Sequence, residues 1–280
     1  MNTFFLDRLN SEPHALAFAG QSTPWPVTLA DQSANPVLDE ALHTHADAAQ
    51  ALLYPVSADL LATTGRPVDL FGFEPNPARL GAAAAASASV PGIALAQLGA
   101  LLDAASLGYN PAVAKPVAVL GHSQGVLAVH MVQAIVEAGS IEAASAQIDE
   151  ILAIATLIGV AGTRQARQLG LAARHGEATP MLSVKDITRA QVDALIKRVS
   201  GARGPIAVAG TNSATHYVLS GYPEDLAAFG VEVAKEHKHQ AKLREEKVRG
   251  GRVFEPVLEY LDVTLPFHSP LMAEAVSQAG

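Results

Sequence analysis

The sequence predicts an α/β protein in two parts, and three observations carry that reading. A continuous apolar run, Pro116-Val117-Ala118-Val119-Leu120, has strand length and leads into a glycine-flanked turn. Val126 to Ala138 then follows at helical periodicity, so the order is strand, sharp turn, helix. From Pro180 onward the pattern reads strand, helix, two strands, helix and strand, the order of a ferredoxin-like unit.

Taken in chain order, His14 to Ala19 is a short apolar run broken by Gly20, a buried strand that opens into the loop Gln21-Ser22-Thr23-Pro24. Apolar positions fall at helical spacing between Asp31 and Gly65. Val90 to Leu107, after an Ala-rich lead, predicts a long buried helix with Pro91 near its start. Glu142 to Gly170 reads as two helical stretches. The second part comprises a strand over Met181 to Val184, a helix over Thr188 to Val199, and two strands around Gly210-Thr211-Asn212-Ser213. A helix from Pro223 to about Glu246 and a strand from Val257 to Leu265 complete it. The last strand leads back toward residues the first part would need, so residues 179–265 are expected to be an insertion between 1–178 and 266–280.

Bulk properties narrow the function. The 280 residues are 49% apolar, enough for a sizeable core, and 19 basic against 27 acidic side chains give a net charge of −8. That balance opposes a nucleic-acid partner, whose phosphates require clustered Lys and Arg. The absence of cysteine excludes disulfides, thiolate metal sites and a thiol nucleophile, and is compatible with a cytoplasmic location. No basic n-region with a long apolar stretch opens the chain, and the run from Gly81 to Val90 is too short for a bilayer, so no membrane partner is expected.

Gly121-His122-Ser123-Gln124-Gly125 sits between the predicted strand and helix. Small residues on either side permit a tight turn that exposes the Ser123 hydroxyl, and the Gln124 main-chain N–H then points at a developing oxyanion. A serine needs a base. Of ten histidines, His122 is on a turn that sends neighbouring side chains apart, and His237 and His239 lie in a charged, solvated helix. His268, in the rigid turn Leu265-Pro266-Phe267-His268-Ser269-Pro270, directly follows the last strand.

The ordered segments Phe18-Ala19-Gly20-Gln21, Gly121 to Gly125, Leu157-Ile158-Gly159, Pro180-Met181-Leu182-Ser183, Lys247-Val248-Arg249-Gly250-Gly251 and Phe267-His268-Ser269 resemble a known family. It is the N-terminal acetyltransferase domain of type I fatty acid synthases, especially the actinobacterial form and more distantly the fungal one. The resemblance implies an α/β-hydrolase-like acyltransferase core with an inserted ferredoxin-like (βαββαβ) subdomain. It implies Ser123 as nucleophile, His268 as general base and acid, and the main-chain N–H groups of Gln21 and Gln124 as oxyanion hole. Trp25 is then a packing residue.

The resemblance further implies an [acyl-carrier-protein] S-acetyltransferase that takes an acetyl starter from acetyl-CoA and passes it to a phosphopantetheinyl acyl carrier protein, alongside other synthase domains. No bound cofactor or metal is expected; coenzyme A enters as a thioester substrate. Malonyl-handling relatives hold the substrate carboxylate with an arginine fork, and Ile158 stands at the corresponding position. A malonate there loses its water without gaining a partner, a cost of several kcal/mol. Arg164 and Arg167 lie within about two helical turns, so a malonyl or other acyl-CoA transacylase stays open, as does a serine hydrolase using the same elbow. Lys247 and Arg249 are candidate contacts for coenzyme A or the carrier. Relatives extend beyond the position of Gly280, and the group that orients the histidine is expected there.

Overall fold

The structure is a computed structural model that describes residues 8–21, 24–53, 70–71, 86–171, 178–199, 204–245 and 254–279. The chain divides into two compact units, residues 1–164 and 165–278.

In the first unit, strands β1 (Ala15–Phe18) and β2 (Ala118–Gly121) pair in parallel, from Ala15 opposite Ala118 to Phe18 opposite Gly121. Helices α1 (Trp25–Ser33), α2 (Pro36–Leu53), α3 (Ala86–Ser106) and the single turn α4 (Pro111–Ala114) separate them in sequence. The long buried helix expected after the Ala-rich stretch is α3. Length and composition would let it cross a bilayer, but 72% of its apolar window is buried within the protein. Trp25 at the start of α1 is 3% exposed and lies flat on α3: a Cβ at Gly92 would fall 2.5 Å from its ring. Its expected packing role is therefore its observed one.

Helix α5 (Val126–Ala138) has the bounds the periodicity predicts, and Gly139 ends it with φ of 91° while its N–H bonds the Ile135 carbonyl. The two helical stretches expected between Glu142 and Gly170 are one helix, α6 (Ser145–Gln168). Gly159, which weakens a helix, is held here by packing. A Cβ there would lie 2.4 Å from the Ala86 carbonyl oxygen of α3, so the two helix backbones touch.

The second unit holds an antiparallel sheet in the order β4-β5-β3-β6. Its strands are β3 (Met181–Lys185), β4 (Ala207–Ser213), β5 (His216–Ser220) and β6 (Val257–Tyr260). Helix α7 (Arg189–Val199) connects β3 to β4, and α8 (Pro223–Glu245) follows β5. This is the βαββαβ order predicted. Period-2 alternation on β3 and β5 sends Leu182, Val184, Tyr217 and Leu219 to one face, where they pack with Val192 and Leu195 of α7 and Leu226, Phe229 and Val233 of α8. Thr188 and Gln191 form a reciprocal cap at the start of α7. Strand β6 ends at Tyr260 rather than Leu265, because beyond the Leu261 N–H bond to Met181 the chain turns: the Leu261 carbonyl accepts from Val263 N–H and the Thr179 hydroxyl. The short helix α9 (Ala273–Ala279) closes the described chain.

Candidate active site

Ser123 has φ of 52°, a left-handed conformation that costs an L residue about 1–2 kcal/mol and persists only where its surroundings impose it. The surroundings do so here. The His122 N–H bonds the Phe18 carbonyl at 2.9 Å, which fixes the turn to the end of β1, and the Gly125 N–H returns to the His122 carbonyl at 2.9 Å. A Cβ at Gly125 would meet the Phe18 carbonyl oxygen at 2.4 Å, and one at Gly121 would meet the Gly125 main chain at 2.5 Å. Both flanking glycines are thus required by the space the turn leaves. Residues Ser123–Gly125 form a 3₁₀ turn that runs directly into α5, and Ser123 is exposed at its tip. The strand, elbow and helix inferred from the sequence are all present, with the helix N-terminus behind the serine.

Gln21 follows β1 in the loop beside this turn. Its side-chain Nε2 donates to Oε1 of Gln124, and Nε2 of Gln124 donates at 2.5 Å to the Val90 carbonyl of α3. Between β1 and Gln21, Gly20 is buried, and a Cβ there would lie 2.6 Å from the His122 carbonyl oxygen and 3.4 Å from the Gln124 main-chain nitrogen. The Ala19 carbonyl accepts from Gln97 Nε2 of α3 at 2.7 Å. Among the described residues, nothing accepts a hydrogen bond from the Gln21 main-chain N–H. Gln21, Ser123 and Gln124 are therefore gathered in the first unit.

Gln97 and the Gln124 side chain are members of this cluster that the sequence reading did not single out. Gln97 carried a signal: it is a lone amide in the apolar run Ile93 to Leu102, and it is 8% exposed. The Gln124 carboxamide had none, since the elbow motif leaves that side chain open.

Ile158 is half-buried on α6, one turn beyond the exposed Ile154. A small apolar pocket of the first unit, partly open to solvent, is lined by residues of α2, α3 and α6 including Pro91, Leu95, Leu152 and Thr156, and Ile158 is not among them. A pair that sequence patterns could not reveal lies nearby: His45 Nδ1 of α2 and Asp149 Oδ1 of α6 are 2.5 Å apart with both side chains mostly shielded.

His268 belongs to the second unit, in the turn between β6 and α9. It is exposed and has φ of 56°. The Ser269 hydroxyl closes the turn by donating to the Pro266 carbonyl at 2.6 Å, and the Met272 N–H bonds the Ser269 carbonyl at 3.0 Å. His237 and His239 are on α8, and among the described residues no group of three His, Asp or Glu could hold a metal. Lys247 and Arg249 lie outside the described residues.

Comparison with known proteins bears on fold more than on chemistry. Residues 180–260, the βαββαβ segment, match a family model described as the fatty acid synthase central AT domain. Similar solved structures include MCAT from Mycobacterium tuberculosis, with 20% identity and a TM-score of 0.58 over 96% of this chain and 68% of that one. The malonyl CoA-acyl carrier protein transacylase from Clostridium perfringens shares 17% identity, with a TM-score of 0.55 over 96% and 66%. The acyltransferase domain from the second module of the salinomycin polyketide synthase shares 22%, with a TM-score of 0.52 over 95% and 48%. The chain thus spans about half to two thirds of the length of these structures. Its fold is that of the acyl-CoA:ACP transacylase-type acyltransferase domains, an α/β core with a four-stranded companion sheet.

Proposed function

We propose that this chain is an acyltransferase that takes a small acyl group from a coenzyme A thioester onto Ser123 and passes it to the pantetheine thiol of an acyl carrier protein. The observation that carries this reading is the exposed Ser123, held at positive φ on the elbow beside the Gln21 loop. In the first step the Ser123 Oγ–carbon bond forms as the carbon–sulfur bond breaks; the serine proton passes to the base and from it to the departing coenzyme A thiolate. The oxyanion is held by the main-chain N–H groups of Gln21 and Gln124. The carrier thiol then reverses the sequence. His268 is the base in this proposal, on the strength of the Phe267-His268-Ser269 resemblance.

Intact-mass measurement after mixing with acetyl-CoA should show a single acyl adduct that disappears in Ser123→Ala. An adduct that survives the substitution, or none in the parent, ends the reading. Rapid acetyl-CoA loss without an acceptor thiol would instead identify a hydrolase.

For the acyl group we favour acetyl, the starter of fatty acid synthesis, because Ile158 offers a carboxylate no partner. The malonyl CoA-acyl carrier protein transacylase among the similar structures favours malonyl, and Arg164 and Arg167 lie further along α6. Loading from acetyl-CoA and malonyl-CoA in competition separates the two. Acetyl should win in the parent and lose ground in Ile158→Arg; an unchanged ratio in that variant places the acyl pocket elsewhere.

A further inference from the structure

Two N–H groups stabilise an oxyanion only if both are aimed at one point before charge develops. In this chain they come from separate pieces of backbone: Gln21 on the loop after β1, and Gln124 in the elbow after β2. The elbow is tied to β1 at Phe18. Beyond it, two side-chain hydrogen bonds help to hold the loop. In one, the Ala19 carbonyl accepts from Gln97 of α3. In the other, the side chain of Gln21 donates to Gln124.

We infer that the Gln124 carboxamide is a positioning group, a strut that fixes the Gln21 main-chain N–H relative to that of Gln124 by joining the loop, the elbow and α3. This rests on the function proposed above and assigns the side chain of the residue after the nucleophile a role separate from its backbone. An amide suits that role because it accepts and donates at once: Oε1 takes the Gln21 Nε2–H while Nε2 gives a hydrogen to the Val90 carbonyl. Val90 is itself 2% exposed in α3, a rigid anchor that also carries Gln97 two turns later. The linkage is half-buried, so its hydrogen bonds are shielded from water and geometrically restrictive. A hydrocarbon of the same length keeps the volume and loses both bonds. A carboxyl keeps both only while protonated.

Three variants test it. In Gln124→Met the single-turnover acylation rate at saturating acetyl-CoA should fall roughly tenfold to a hundredfold, less than the loss expected when an oxyanion donor is removed outright, with the half-saturating concentration unchanged. Gln21→Met should lose a similar factor, and the double variant should be no slower than either single one. Gln124→Glu should lose rate relative to the parent as pH rises through the titration of its carboxyl, because the ionised form cannot donate to Val90. Parental rates in Gln124→Met, additive losses in the double variant, or a pH-independent ratio for Gln124→Glu overturn the strut. Backbone amide relaxation supplies a readout that needs no activity: the order parameter of the Gln21 N–H should fall in Gln124→Met while those of α5 do not change. If the parent forms no Ser123-dependent adduct, the functional reading fails and the relaxation measurement alone decides the strut. If Gln124→Met does not fold, Gln21→Met breaks the same bond from the other side.

Discussion

Gly20 is a tight point of the candidate site on the loop side of the elbow. A methyl group at this position would stand 2.6 Å from the His122 carbonyl oxygen, closer than real Cβ atoms come, and 3.1 Å from the Ser123 Cβ, a tight contact; the first obstacle is main chain that is already bonded to the Gly125 N–H. Gly20→Ala should therefore cost about 1–3 kcal/mol of stability in urea unfolding and displace the elbow, with acylation of Ser123 falling further than the stability loss accounts for. Full acylation in a folded Gly20→Ala protein would mean the elbow tolerates the shift. The turn that carries His268 gives a milder case. Its Ser269 hydroxyl is bonded to the Pro266 carbonyl at 2.6 Å, and Ser269→Ala should remove about 1 kcal/mol and slow acylation while leaving substrate saturation as it was. A weaker apparent affinity for acetyl-CoA would point to a substrate contact instead.

Strand β2 pairs only with β1 among the described residues, and parallel strands are ordinarily covered on both faces. In the segment leading into and along β2, Val113 is 72% exposed, Val117 71% and Leu120 61%, a run of exposed apolar side chains. The protein should self-associate with rising concentration, and Val117→Lys should reduce that association in sedimentation velocity without changing Ser123 acylation. Concentration-independent sedimentation of the parent would contradict it. This strand also shows how far the sequence could be read. The apolar run before Gly121 announced a strand, and the order strand, helix, two strands, helix, strand from Pro180 announced the second sheet with its cover. Whether a strand has one neighbour or two is a long-range property, and periodicity does not contain it. The same limit explains α6, expected as two stretches and found as one helix whose Gly159 lies against the Ala86 backbone, and β6, whose end is set by the Thr179 hydroxyl. At the site, Ser123 and its glycines were legible because the elbow imposes local rules on small residues. The Gln21–Gln124–Val90 linkage was not, since it joins positions 34 and 103 residues apart.

The charge of −8 acts on the whole molecule, and its sign opposes the proposed substrates: coenzyme A is anionic, and capture of an anion by a negatively charged protein is slowed by long-range repulsion. A local cluster of cations could reverse that effect. The described basic residues on and around α8 are partly neutralised, however, with Lys235 at 2.6 Å from Glu232 and Arg198 at 2.8 Å from Glu236. The second contact, with Gln240 and Arg198 donating to it, holds the Glu236 carboxyl below its usual range, so that negative charge persists throughout the neutral region. These exposed pairs add little to stability, but each removes a free cation from the field a substrate meets. Repulsion should therefore dominate, and kcat/KM for acetyl-CoA should rise about twofold to threefold as screening increases from roughly 0.01 M to 0.15 M salt, where the Debye length shortens from about 30 to 8 Å. The maximal rate, set after capture, should not respond. A kcat/KM that falls with salt would instead assign coenzyme A binding to unpaired cations, and Lys247→Ala with Arg249→Ala would then be the variants that abolish the salt dependence.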